Sequence, residues 1–121
     1  MYRVKKFYNV KSKNKYNAIK TTYNNIKYDS KFEAKVAQDL DYKLQLGEIK
    51  DVKRQVKISL DIRGYHICNY YIDFVVVHND NTIEYIEVKG YETPVWKLKW
   101  KLFEALYSDE KQETKFTIIK Q

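Results

Sequence analysis

Three side chains in this sequence have the types and spacing to work as one acid–acid–amine group: Asp73, Glu87 and Lys89. In the run Tyr71-Ile72-Asp73-Phe74-Val75-Val76-Val77, the single charge sits between apolar neighbours. An unpaired carboxylate buried there would raise its pKa or cost stability, so the acid needs a partner. The plain alternative is an edge strand with Asp73 in solvent.

The partner follows from hairpin register. Two β-forming segments, about 68–78 and 82–89, flank Asn79-Asp80-Asn81, which has turn chemistry. If Asp80 is the middle of a three-residue turn, facing residues sum to 160 and Asp73 lies opposite Glu87. Two facing carboxylates, with Cβ atoms about 5 Å apart, repel unless a cation lies between them. A divalent metal is the simplest such cation. A two- or four-residue turn would shift the sum by one and send the two acids to opposite faces.

Lys89 is two residues beyond Glu87, and the period of two directs both side chains to one face. The pattern acidic-x-Lys is not informative alone, since it starts at Asp29, Glu33, Asp41, Glu48, Asp51, Glu87, Asp109 and Glu113. Only the Glu87 copy ends a strong strand beside a strand with a buried-looking acid. Glu33 shares a helical face with Val36, Ala37, Leu40 and Leu44, which turns it toward a core. Ser30 three residues earlier also makes it the reciprocal residue of a capping box, and both roles stay open.

Together these groups could hydrolyse a phosphodiester. Asp73 and Glu87 would hold Mg²⁺, or Mn²⁺ in its place, and Lys89 would orient a water or steady developing charge. His78 falls on the strand face opposite Asp73, so histidine is not expected in the site.

The elements that must position these residues are legible as local patterns. Ser30 and the stripe Phe32, Val36, Leu40, Leu44 predict a helix over 31–46, closed by Gly47. Thr21–Tyr23 and Ile26–Tyr28 around Asn24-Asn25 suggest a small hairpin. Val56, Ile58 and Leu60 alternate with Gln55, Lys57 and Ser59 as a half-buried strand, and Gly64 marks a turn. Thr93-Pro94 opens a second helix to about Tyr107, with Val95, Leu98, Leu102 and Leu106 on one face. Trp96, Trp100, Phe103 and Tyr107 form a separate aromatic stripe, read as core or dimer contact. Phe116, Ile118 and Ile119 make a last strand. The expected fold is α/β or α+β, a small mixed sheet of about four strands flanked by two helices.

Composition narrows the function classes. The 121 residues, with three glycines and one proline, fit a basic N-terminal arm over 1–20 and a single domain over 21–121. One cysteine and two histidines exclude an internal disulfide and a structural zinc site and agree with a reducing cytoplasm. The longest uncharged apolar run, Phe74–Val77, is too short to span a bilayer, and no apolar stretch follows Arg3, Lys5 and Lys6 as a signal peptide would require. A net charge of +7 suits a polyanionic partner, although A- and T-rich coding would favour the same lysines. Lys97 and Lys101 form a row on the second helix that could face DNA or only solvent.

Asp73, Glu87-Val88-Lys89 and the helical Glu33 resemble the PD-(D/E)xK nuclease superfamily. Residues 15–119, above all Ile26 to Ala34, Leu46-Gly47-Glu48-Ile49 and Glu87 to Tyr91, resemble a small phage family catalogued as of unknown function. That family is similar to endonuclease I type Holliday-junction resolvases. The resemblance implies a restriction-endonuclease-like core and a metal-dependent endonuclease for branched DNA such as four-way junctions. It also implies a homodimer acting in recombination, in the cytoplasm of a bacterial host. On it, Glu33 is a helical active-site acid and metal ligand, Asp73 and Glu87 are metal ligands, and Lys89 is catalytic. Gln55 matches a recurring glutamine on the preceding strand and is a candidate phosphate contact. Ile72 stands where the name-giving proline would be. A sequence-specific endonuclease of restriction or transposon-end type, and a non-catalytic DNA-binding module, are the alternatives.

Overall fold

The computed structural model describes residues 8–13, 19–23, 26–28, 30–108 and 113–120. The element order is β1 (Tyr8–Lys13), β2 (Ile19–Tyr23), β3 (Ile26–Tyr28), α1 (Lys31–Gln45), β4 (Asp51–Ile62), β5 (Tyr65–Val77), β6 (Ile83–Lys89), α2 (Pro94–Tyr107) and β7 (Thr114–Lys120). This is an α+β fold with a four-stranded mixed sheet, a three-stranded sheet and two helices. The chain divides into two compact units, Met1–Ile49 with Gln121, and Lys50–Lys120.

In the first unit the strands pair in the order β1-β2-β3. β2 and β3 are antiparallel, with Thr21 opposite Tyr28 and Tyr23 opposite Ile26, as the hairpin reading expects. The Asn24-Asn25 turn lies outside the described residues, as does much of the 1–20 stretch, although β1 falls within it and pairs with β2. α1 begins where the Ser30 hydroxyl accepts the Glu33 N–H at 3.0 Å. It ends at Gly47, whose φ of +75° places it in the left-handed region, with the Gly47 N–H on the Leu44 carbonyl and the Glu48 N–H on that of Lys43. Its buried face carries Glu33, Ala34, Val36, Ala37, Leu40 and Asp41. Tyr23 and Tyr28 are fully buried.

The second unit is built on the sheet β4-β5-β6-β7. β4 and β5 form a long hairpin closed by Arg63-Gly64, both at positive φ (51° and 82°), the geometry of a two-residue turn that follows the strand twist. β5 and β6 are antiparallel and β6 and β7 parallel, the latter joined through α2. Thr93 caps α2 by accepting the Trp96 N–H at 3.1 Å, with Pro94 in the first turn.

The core of this unit assigns the two stripes of α2. Trp96, Trp100 and Phe103 pack with Ile58, Leu60, Tyr70 and Ile72, joined by Val75, Tyr85 and Phe116. The aromatic stripe is therefore core. Val95 and Leu98, of the aliphatic stripe, remain 63% and 70% exposed, which puts that stripe mainly on the outer side. Among the described residues no helix is long and apolar enough to cross a membrane.

One irregularity matters for the site. Tyr70 and Ile72 pack in the α2 core, yet further along β5 it is Val75 rather than Phe74 that joins it. A regular strand would keep even residues on one face, so its phase changes between Ile72 and Val75. The ladder of β4 with β5 pairs Arg54 with Phe74 and Val56 with Ile72, which leaves Gln55 opposite Asp73. Gln55 has φ +49°, a conformation costly for a residue with a Cβ. The strand phase breaks at this position.

Candidate active site

The β5–β6 turn decides which side chains meet. The His78 N–H bonds the Thr82 carbonyl and the Asn81 N–H the His78 carbonyl, and Asn81 takes φ +70°. This is the three-residue turn centred on Asp80, and Asp80 braces it by accepting the Thr82 N–H at 3.0 Å and its hydroxyl at 2.7 Å. The resulting pairs, Val77 with Ile83 through Phe74 with Ile86, all sum to 160. The next position in that register brings Asp73 opposite Glu87.

Here a side chain takes over from the backbone ladder. Asp73 Oδ2 accepts the Val88 N–H at 2.8 Å, a contact that anchors this carboxylate to β6. β5 lies between β4 and β6, so the edge-strand alternative for Asp73 does not hold; the residue is half-buried. Glu87 is 4% exposed. Its Oε2 accepts the Tyr70 hydroxyl at 2.8 Å, and the same hydroxyl accepts the Trp96 indole N–H at 3.0 Å. Lys89 Nζ stands 5.0 Å from the centre of the Trp96 ring, a cation–π distance.

The electrostatics follow from this packing. Burial, and then the adjacent Asp73 charge, push the Glu87 carboxyl from 4.5 up to about 8, against the Tyr70 hydrogen bond and the Lys89 charge. The Asp73 carboxylate beside Glu87 disfavours the charged form of Glu87 when no cation is present. Tyr70 is held far above its usual range, first by burial and then by Glu87.

This donor set fits a hard divalent cation. Two carboxylates in contact, one of them buried, gain from exchanging a proton for a metal, and oxygen donors suit Mg²⁺ or Mn²⁺. Among the described residues no three His, Cys, Asp or Glu side chains form a metal-binding group. Two protein ligands are compatible with Mg²⁺, which retains water and takes the rest of its shell from substrate phosphate.

The other candidate residues are distributed as follows. Glu33 belongs to the first unit, where it is 5% exposed and its N–H is capped by Ser30. Gln55 is exposed and in register with Asp73. Lys97 and Lys101 are exposed one turn apart on α2. His78 bonds Glu84 at 2.7 Å, and Glu84 also accepts the Thr117 hydroxyl at 2.6 Å, a cluster that includes neither Asp73 nor Glu87. Sequence reasoning missed Tyr70 and Trp96. The available signal was that a buried tyrosine or tryptophan needs a polar partner, and Glu87 is the nearby acid on the facing strand.

Fold and site together define an α+β protein with a paired-carboxylate centre and a neighbouring lysine on a mixed sheet. The chain belongs to the DUF1064 family, described as a protein of unknown function, whose model matches residues 13–120. No curated protein and no solved structure matches the chain.

Proposed function

We propose that this protein is a metal-dependent, structure-selective endodeoxyribonuclease of the PD-(D/E)xK type. The observation that carries the reading is the Asp73 carboxylate held on the Val88 N–H and acting as a neighbouring charge on the buried Glu87, two residues before Lys89. A protein selected for stability alone would gain by replacing such a pair with apolar or amide side chains.

Asp73 and Glu87 would hold Mg²⁺, with Mn²⁺ as a substitute. When bound, the ion supplies Lewis acidity toward a phosphodiester oxygen. The Val88 N–H keeps Asp73 in place at 2.8 Å, and Tyr70 does the same for Glu87. Lys89 presents its ammonium to the charge that develops on phosphate oxygens or orients the attacking water. Gln55, Lys97 and Lys101 are the proposed phosphate contacts, consistent with a net charge of +7.

The substrate class proposed is branched DNA, with four-way junctions first, and the role is resolution of recombination intermediates in the cytoplasm of a phage-infected bacterium. Two symmetric cuts in a junction require two sites at fixed separation, which a two-fold homodimer provides.

The test is incubation of the purified chain with a synthetic four-way junction and with a linear duplex of the same arms, in Mg²⁺ or EDTA, beside Asp73→Asn. The expected result is Mg²⁺-dependent cutting of the junction that the variant loses while still binding DNA. Absence of cutting on every substrate would overturn the enzyme reading. Cutting confined to one sequence in linear DNA would replace it with the restriction-type reading.

A further inference from the structure

We infer that Tyr70 and Trp96 are positioning residues for the metal centre, acting through Glu87 and Lys89. The inference rests on the metal-binding reading of Asp73 and Glu87, and it assigns a task to two residues that motif spacing does not single out.

The geometry is a bracket built from three elements. From α2, the Trp96 indole donates to the Tyr70 hydroxyl at 3.0 Å; from β5, that hydroxyl donates to Glu87 Oε2 on β6 at 2.8 Å. The face of the same indole lies 5.0 Å from Lys89 Nζ. Trp96 therefore touches both ends of Glu87-Val88-Lys89, one through Tyr70 and one directly. A tyrosine hydroxyl has one proton to donate. With the indole N–H arriving from the other side, that proton is directed to Glu87.

Packing alone does not require this arrangement. Tyr70 and Trp96 are 4% and 7% exposed in an aromatic cluster with Trp100 and Phe103, where phenylalanine would fill the Tyr70 position without a hydroxyl to satisfy. The strand phase change between Ile72 and Val75 brings Tyr70 to the face of Asp73 and Glu87. The backbone distortion at Gln55, φ +49°, accompanies that change. Fixing the rotation of a ligand carboxylate by a hydrogen bond from outside the coordination shell is how proteins tune a metal site.

The test is Tyr70→Phe, which keeps the ring and removes the hydroxyl. Mn²⁺ binding to the DNA-free full chain is measured by calorimetry, with thermal melting as the folding control. The expected result is Mn²⁺ affinity lower by about 10- to 100-fold in a folded variant. Junction affinity in EDTA should be unchanged, and cutting should need more metal without a rise in KM for DNA. In a Trp100→Phe background, where Trp96 is the remaining tryptophan, Mn²⁺ should change the fluorescence, and Tyr70→Phe should shift that titration by the same factor. Mn²⁺ affinity within twofold of wild type in folded Tyr70→Phe would overturn the inference and leave the metal reading intact. Absence of Mn²⁺ binding to the wild-type chain would overturn both. If Tyr70→Phe does not fold, Trp96→Phe carries the same measurement, and unchanged affinity there overturns the bracket.

Discussion

Replacing Glu87 by Gln should make the metal-free protein more stable at alkaline pH, because the native fold works against the charge on this residue. Burial and Asp73 move its pKa from 4.5 to about 8. Between these values the folded chain keeps a proton that the unfolded chain has released. Stability contributed by the protonated native group is thus complete below pH 4.5, falls through the window, and is lost above about 8. At about 1.4 kcal/mol per pH unit the ceiling is roughly 5 kcal/mol. The neighbouring Asp73 charge supplies part of the shift, so about half of that ceiling is the working expectation. Gln keeps an oxygen that can accept from Tyr70 and carries no charge, so its stability lacks this slope. The assay is urea unfolding in EDTA at pH 5, 7 and 9 for both proteins, in which the titrations of groups not coupled to Glu87 subtract out. The variant's advantage should grow with pH by about 2 to 3 kcal/mol. Parallel curves, within about 0.5 kcal/mol across the range, would refute the reasoning. Mg²⁺ should offset that advantage: at a hundredfold excess over Kd a bound ion adds about 2.7 kcal/mol to the wild type and little to Glu87→Gln.

Two further outcomes follow from the same geometry. Lys89→Ala should lower the single-turnover rate on a junction by about 10²- to 10³-fold, with Mn²⁺ affinity nearly unchanged; an equal loss of metal binding would make Lys89 structural. Lys97→Ala with Lys101→Ala should reduce the slope of log binding constant against log salt by roughly 0.9 per lost phosphate contact, whereas an unchanged slope would place both lysines off the DNA path.

Much of the local structure was legible in the sequence because its determinants are local. The Ser30 and Thr93 caps, the Gly47 stop and the Gly64 turn each depend on residues within a turn of chain, and all appear as expected. The β5–β6 register next to Asp73 and Glu87 was legible too. Asn79-Asp80-Asn81 supports the left-handed Asn81 that a three-residue hairpin needs, and once the turn is set the pairing sum of 160 is fixed by counting. The three-stranded sheet was only half visible, since β1 carries no hydrophobic alternation clear enough to distinguish it from a basic arm.

By itself, then, the chain determined its caps, its turns and the hairpin register that carries two acids on neighbouring strands, because φ preferences and the two-residue period of a strand act over a few residues. Tertiary structure alone decided which stripe of α2 is core. Both stripes have helical spacing, and only the aromatic one meets Ile58, Leu60, Tyr70 and Ile72 across the sheet. Tertiary structure also broke the strand phase at Gln55 and Asp73, tied Asp73 to the Val88 N–H, and gave the Tyr70 hydroxyl to Glu87. These contacts link residues 15 and 17 positions apart, and the energy that holds them comes from burying the α2 aromatics over the sheet. No pattern within a short window encodes that burial.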